Sequence, residues 1–119
     1  MWWVKTLAGW MGFQTPPPEP ISEAAEQLIA VVDEIVALLE RYEEHHWAHL
    51  MRESRQAVAR GGRGYQSVFS RYGGMGSFND LIIAQHLSGN AMTEPNDRLD
   101  ALRTQAYGLA IQVRDEYGS

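Results

Sequence analysis

The chain has 119 residues, with 15 acidic and 10 basic side chains, a formal net charge of −5 and no cysteine. This length holds one small hydrophobic core but hardly two, and a hydrophobic fraction of 45% is typical of a folded globular protein. The acidic charge argues against nucleic acid as the main partner, because phosphate binding needs a basic surface. The lack of cysteine excludes disulfides, thiolate zinc sites and cysteine nucleophiles.

The opening stretch, 1–13, carries three of the four tryptophans and one charge, at Lys5. It is shorter than the roughly 20 residues that span a membrane and has no convincing signal-peptide features, so we expect no transmembrane segment and a cytoplasmic location. Trp3, Leu7 and Trp10 recur at helical spacing, which predicts a short amphipathic helix. Residues 14–20 read QTPPPEP, and successive prolines favour a stiff extended spacer over a helix.

This spacer divides the chain into a tryptophan-rich segment with its spacer, residues 1–20, and a single helical domain, residues 21–119. Removing the first part should therefore leave a folded domain. Trp2, Trp3 and Trp10 could dock on the domain, on a partner or on a membrane surface. The membrane is the weakest of these alternatives, because Lys5 alone would attract anionic lipid.

The domain shows helical periodicity in several segments and no alternating strand pattern. Ser22 predicts an N-cap for the first helix, and the pair Ser77 and Asp80 predicts a capping box for the fourth. Residues 89–96 lack periodicity and indicate a loop before the last helix. The sequence thus predicts an all-α, compact bundle of about five helices. Their apolar positions fall in the ranges 28–42, 47–58, 65–72, 78–87 and 99–117.

Three stretches carry a resemblance to a known family: the pair His46-Trp47, the run from Tyr72 to Leu81 (YGGMGSFNDL), and LDALRTQAYGLA at 99–110. With them, the chain from about Leu38 to Val113 resembles an uncharacterised family of small bacterial all-α domains. Similar small domains are often encoded near secreted polymorphic toxins. The resemblance therefore implies an immunity-type protein.

His45, His46 and His49 lie close together in the sequence, and His45 and His49 share a helix face with Glu53 one turn further on. His45, His49 and Glu53 are accordingly weak candidates for metal ligands. The zincin pattern fails, however, because His46 stands where that motif has its catalytic glutamate. We therefore expect no metal and no cofactor, with the exposed histidines as solvent-facing side chains.

A polar latch is a second interpretation of the histidine region. In it His46 packs beside Trp47 and hydrogen-bonds Asn79 or Asp80 from the glycine loop. The glycine loop itself has two interpretations. Gly73, Gly74, Gly76 and Ser77 could present amide groups to an anion, or they could serve a tight chain reversal that Ser77 caps.

Charge is distributed unevenly along the domain. Residues 19–44 hold eight acids and one base, whereas residues 52–71 hold five arginines and one acid. Either neighbouring helices pair these charges, or the acidic helix attracts a basic partner. The second interpretation makes an acidic face the partner-binding site. Its residues are Glu23, Glu26, Asp33, Glu34 and Glu40.

The leading function prediction is a cytoplasmic bacterial protein-binding module, an immunity protein that neutralises a toxin domain by occlusion. The alternative is a small metal- or anion-dependent enzyme that uses His45, His46, His49 and Asp80. The sequence offers no catalytic triad or paired-carboxylate motif, so binding is the favoured class.

Overall fold

The computed structural model describes residues 21–73 and 76–118, and all regular structure in these ranges is helical, as predicted. The Trp-rich segment and its spacer, predicted for residues 1–20, lie outside the described residues. The order of elements is α1 (Glu23–Arg41), α2 (His45–Ala59), a 3₁₀ turn (Gly62–Gly64), α3 (Tyr65–Ser70), a second 3₁₀ turn (Phe78–Asp80) and α4 (Asn90–Gly118).

The start of α1 follows the predicted cap. The Ser22 hydroxyl accepts a 3.1 Å hydrogen bond from the amide of Ala25, and Glu23 and Glu26 place carboxylates at the positive end of the helix dipole. The apolar face of α1 packs against both α2 and α4, which accounts for the width of its hydrophobic stripe. Fully buried Leu28, Ile35 and Leu39 form the centre of this packing.

The turn between α2 and α3 depends on glycine. Gly61 and Gly62 have φ angles of +82° and +61°, which side chains with a Cβ rarely adopt. Gly64 is needed for a different reason, because a Cβ atom there would lie 1.9 Å from the carbonyl oxygen of Ala57. The close approach lets α3 fold back and pack on α2 and α4.

The predicted fourth helix, residues 78–87, is wrong. Only Phe78–Asp80 is helical, as a 3₁₀ turn, and the chain then runs irregularly to Gly89 with Ala84 at a φ of +59°. The physical reason is that side chains of α4 take the main-chain groups of this segment: Asn96 bonds both the amide and the carbonyl of Ile83. The described residues therefore form four α-helices.

The predicted loop at residues 89–96 is also wrong, because α4 already begins at Asn90 and includes Pro95. Proline removes one helical hydrogen bond, and together with the missing apolar periodicity it favours a loop at the level of sequence. The side chain of Asn96 adds a hydrogen bond in the same turn, since its Nδ2 donates to the carbonyl of Met92 at 2.8 Å. Helix α4 is consequently the longest element.

Candidate functional site

The acidic face of α1 is largely paired with arginines of the same chain. Asp33 accepts a 2.8 Å hydrogen bond from Nε of Arg55 on α2. Glu34 pairs instead with Arg98 on α4, so adjacent acids are held by opposite neighbours of α1. Glu40 pairs with Arg52 at 3.0 Å. These contacts correspond to the interpretation in which neighbouring helices pair their charges.

Glu23 and Glu26 differ from the other three acids. Both side chains are exposed in the first turn of α1, and neither makes an ion pair within residues 21–73 and 76–118. They are the part of the predicted acidic face that no basic side chain of the described ranges pairs.

The histidines near the start of α2 contact carboxylates one at a time. His45 Nδ1 lies 3.0 Å from Glu40 Oε1, and His49 Nε2 lies 3.4 Å from Glu53 Oε2. The hydrogen bond from His45, followed by that from Arg52, lowers the pKa of Glu40. Over the described part of the chain, no three or more His, Asp or Glu side chains converge on a point where they could hold a metal ion.

Of the latch residues, the structure brings His46 and Trp47 together and places Trp47 against Phe78, the residue before Asn79. Trp47 lies with its ring centroid 5.4 Å from that of buried Phe78, and the ring of His46 stands edge-on to Trp47 at 5.6 Å. His46, Asn79 and Asp80 are exposed, and in the described ranges no hydrogen bond joins His46 to either loop residue. A bond between them through water stays a prediction.

Two polar groups of the glycine loop form hydrogen bonds with residues of the adjacent 3₁₀ turn. The amide of Gly76, where φ is +78°, donates a 2.9 Å hydrogen bond to Asp80 Oδ2. The hydroxyl of Ser77 accepts one from the amide of Asn79 at 3.3 Å, which is a capping contact. Gly73 is exposed and Gly74 lies outside the described residues. Asp80 thus already occupies one of the amides that an anion would use.

Arg103 is the best-buried charged side chain among the described residues, and our sequence interpretation gives it no role. The residue is 7% exposed, and its Nη1 donates hydrogen bonds of 2.7 and 2.9 Å to the carbonyl oxygens of Phe78 and Leu81. Its Nη2 bonds Asp100 one turn earlier on α4, while buried Nε has no hydrogen-bond partner in the described chain. Arg103 therefore fastens the 3₁₀ turn to α4.

Tyr72 completes this attachment from the other side. Its hydroxyl donates a 2.9 Å hydrogen bond to the carbonyl oxygen of Arg103, and burial raises the pKa of the phenol. The Tyr72 ring stands edge-on to Phe78 at 5.7 Å and to Tyr107 at 5.1 Å. The loop that follows Tyr72 is thus anchored at both of its ends to α4.

Aromatic rings continue across the contact between α3 and α4. Tyr107 stands edge-on to Phe69 at 5.2 Å, and the guanidinium of Arg114 lies 5.8 Å from the centre of the Phe69 ring. Tyr107 is nevertheless 42% exposed. We call this surface the aromatic face; it comprises Phe69, Tyr72, Tyr107 and Arg114.

Two clefts open beside these elements. The Tyr107 cleft, of about 320 Å³, lies next to the aromatic face and is lined by Tyr72, Asn79, Arg103, Thr104 and Tyr107. The larger Ile21 cleft, of about 550 Å³, lies where the start of α1 meets the end of α4. Its walls include Ile21, Ala25, Val58, Tyr65, Val113 and Tyr117.

Part of the chain is similar to a family whose function is not assigned. Residues 40–92, which include His46, Trp47 and the glycine loop, match a family described as a domain of unknown function (DUF6966). No curated protein and no solved structure matches the chain. None of the helices in the described ranges is both long and apolar enough to cross a membrane.

Proposed function

We propose that the chain is a cytoplasmic protein-binding module, and specifically an immunity protein that occludes a toxin domain. The observation that carries the proposal is the aromatic face: an exposed tyrosine held by two neighbouring rings, with an arginine beside it. Tyrosine and arginine are enriched at the energetic centres of protein interfaces. Tyrosine buries a large area with only two side-chain torsions, and arginine offers a planar guanidinium with several hydrogen-bond donors.

Rigid support strengthens this proposal. Phe69 and Tyr72 restrict the Tyr107 ring before any partner arrives, so binding there would cost less side-chain entropy than binding to a free tyrosine. Glu23 and Glu26 add negative charge that would speed the approach of a basic partner. The aromatic face would then supply affinity, and the free acids would supply long-range attraction.

The proposal predicts that the neighbouring gene encodes a toxin domain, and the test is binding of the chain to that domain. The wild-type chain should form a stoichiometric complex with that domain and suppress its activity. Tyr107→Ala should weaken the complex tenfold or more, which corresponds to about 1.4 kcal/mol or more. Tyr117→Ala is the matched control, since Tyr117 lies on the same helix with 52% exposure but outside the aromatic face. It should change the affinity by less than about twofold.

Circular dichroism must show that both variants fold. The proposal fails if no complex forms, or if folded Tyr107→Ala binds as tightly as the wild type.

The enzyme alternative, with His45, His46, His49 and Asp80, has its own test in metal analysis of the purified chain. Stoichiometric zinc, manganese or iron would favour it.

A further inference from the structure

We infer that the Ile21 cleft is the docking site for the chain's own tryptophan-rich segment, 1–13. The cleft begins where this segment is tethered through its spacer, because Ile21 and Ser22 form part of the rim. The chain that precedes Ile21 is therefore covalently joined to the edge of the cleft. This inference concerns a contact within the chain and does not depend on the proposed toxin binding.

The apolar part of the cleft wall suits an aromatic, apolar segment. Val58 and Val113 are buried in its wall, whereas Tyr117 is 52% exposed and so presents apolar surface to solvent. A volume of about 550 Å³ is in the range of sites that enclose a ligand or several side chains, about 300–1,000 Å³. Residues 1–13 read MWWVKTLAGWMGF and offer the complementary apolar side chains.

Charge at the rim is compatible with this occupant. Lys5 is the sole charged side chain of the segment, and exposed Glu116 lies at the rim of the cleft. Arg60 also lies at the rim, and Lys5 is the one side chain of the segment that would repel it. Docking would therefore bring Lys5 toward a rim that carries one acidic side chain, Glu116, and one basic side chain, Arg60.

The reach of the spacer allows the segment to return to the cleft. Seven residues in an extended polyproline conformation cover about 22 Å, at about 3.1 Å per residue. Thirteen helical residues are about 20 Å long. A helix that folds back at the start of the spacer would thus end close to the point where the spacer joins Ile21, beside the cleft.

Disulfide trapping in the full-length chain tests the inference. Because the chain has no native cysteine, only the two introduced thiols can react. Thr6→Cys, which flanks the predicted apolar face of the segment, is combined with Glu116→Cys at the rim. The matched control combines Thr6→Cys with Gln27→Cys. Gln27 is exposed on α1, close to the same tether, but does not line the cleft.

We expect the intramolecular disulfide to form at least tenfold faster with Glu116→Cys than with Gln27→Cys. Adding Trp3→Ala and Leu7→Ala to the first pair should reduce its rate to that of the control. Equal rates in the two pairs would overturn the inference, because a free segment samples both positions. Disulfide-linked dimers as the main product would also overturn it, since the segment would then occupy the cleft of a second copy.

A membrane is the remaining competitor for the segment. Vesicles of phosphatidylcholine with phosphatidylserine should leave the trapping rate unchanged and should not sediment the wild-type chain. Co-sedimentation with a loss of trapping would show that lipid is the preferred partner, and the inference would be wrong.

Discussion

The side-chain amide of Asn96 bonds both main-chain polar groups of Ile83. Its Nδ2 donates to the Ile83 carbonyl at 2.8 Å, and its Oδ1 accepts from the Ile83 amide at 2.9 Å. The pair of bonds has the pattern of a short strand pairing, but one partner is a side chain on a helix. It holds the irregular segment at a point where Ile83 itself is fully buried.

Asn96→Ala should therefore loosen the segment after the 3₁₀ turn. It leaves both main-chain groups of Ile83 without this partner, which we expect to cost about 1–3 kcal/mol in the free energy of unfolding. Urea denaturation measures the loss, and hydrogen exchange should accelerate at the Ile83 amide. Asn79→Ala is the control, because the exposed Asn79 side chain makes no hydrogen bond within the described ranges. Equal stability of the two variants would contradict the prediction.

Arg103→Met should be more damaging. The substitution keeps much of the side-chain volume but leaves the carbonyl oxygens of Phe78 and Leu81 without their donor. We expect about 2–4 kcal/mol of destabilisation in urea unfolding, because hydrogen bonds to a charged donor are lost from a buried site. Arg98→Met removes an exposed arginine from the same helix and should cost less than about 1 kcal/mol. If Arg103→Met also costs less than about 1 kcal/mol, Arg103 does not hold the 3₁₀ turn on α4.

Two glycine substitutions should change the stability of the protein in opposite directions. Gly64→Ala places a Cβ atom 1.9 Å from the carbonyl oxygen of Ala57, so the α2–α3 turn must open and the thermal midpoint should fall. Gly108→Ala meets nothing within 4 Å. Inside α4 it should stabilise the protein by about 0.5–1 kcal/mol through helix propensity. A stabilised Gly64→Ala variant would mean that the turn has another conformation.

The pKa of Glu40 should report its two partners. It is lowered from the ordinary value of 4.5, first by the hydrogen bond from His45 and then by that from Arg52. A lowered pKa means that the contribution of Glu40 to stability is present above pH 4.5 and is lost as the pH falls through the folded-state pKa. In a carboxyl NMR titration, His45→Gln and Arg52→Gln should each raise the pKa of Glu40. Arg55→Gln, whose partner is Asp33, should leave it unchanged.

Glu23 and Glu26 of α1 should govern the rate of the proposed toxin binding. Reversing Glu23 and Glu26 to lysine should slow association and reduce its salt dependence, because attraction between exposed charges is screened by salt. Reversing Asp33 and Glu34 produces the same change in net charge at positions that are already paired. Stopped-flow measurements at two salt concentrations compare the variants. If both double variants slow association equally, net charge matters and the position of the acids does not.

The sequence predicts the elements whose signals are local. Helix α1 has its cap, its acidic first turn and its apolar stripe between Ser22 and Arg41, and all three agree. The segment after Phe78 is different, because its conformation depends on bonds from the distant Asn96 and Arg103 to Ile83 and Leu81. A signal is nevertheless present, since Arg103 lies on the buried stripe of α4 beside Leu99 and Ala106. A charged residue at a core position indicates a buried polar contact.

The candidate site, too, can be predicted from the sequence only in part. The sequence locates the acids and histidines of α1 and α2, but which of them pair depends on the neighbours in space. The aromatic face joins Phe69 and Tyr72 to Tyr107, which lies far along the chain on α4, and no local pattern contains that contact.

Because Arg103 and Asn96 hold Phe78, Leu81 and Ile83 by their backbone atoms, these hydrogen bonds do not depend on the exposed side chains between them. Exposed Asn79 and Ile82 lie between these attachment points. They could be randomised in a display library while the loop keeps its shape. The bundle thus offers a small, cysteine-free scaffold on which new recognition surfaces can be selected.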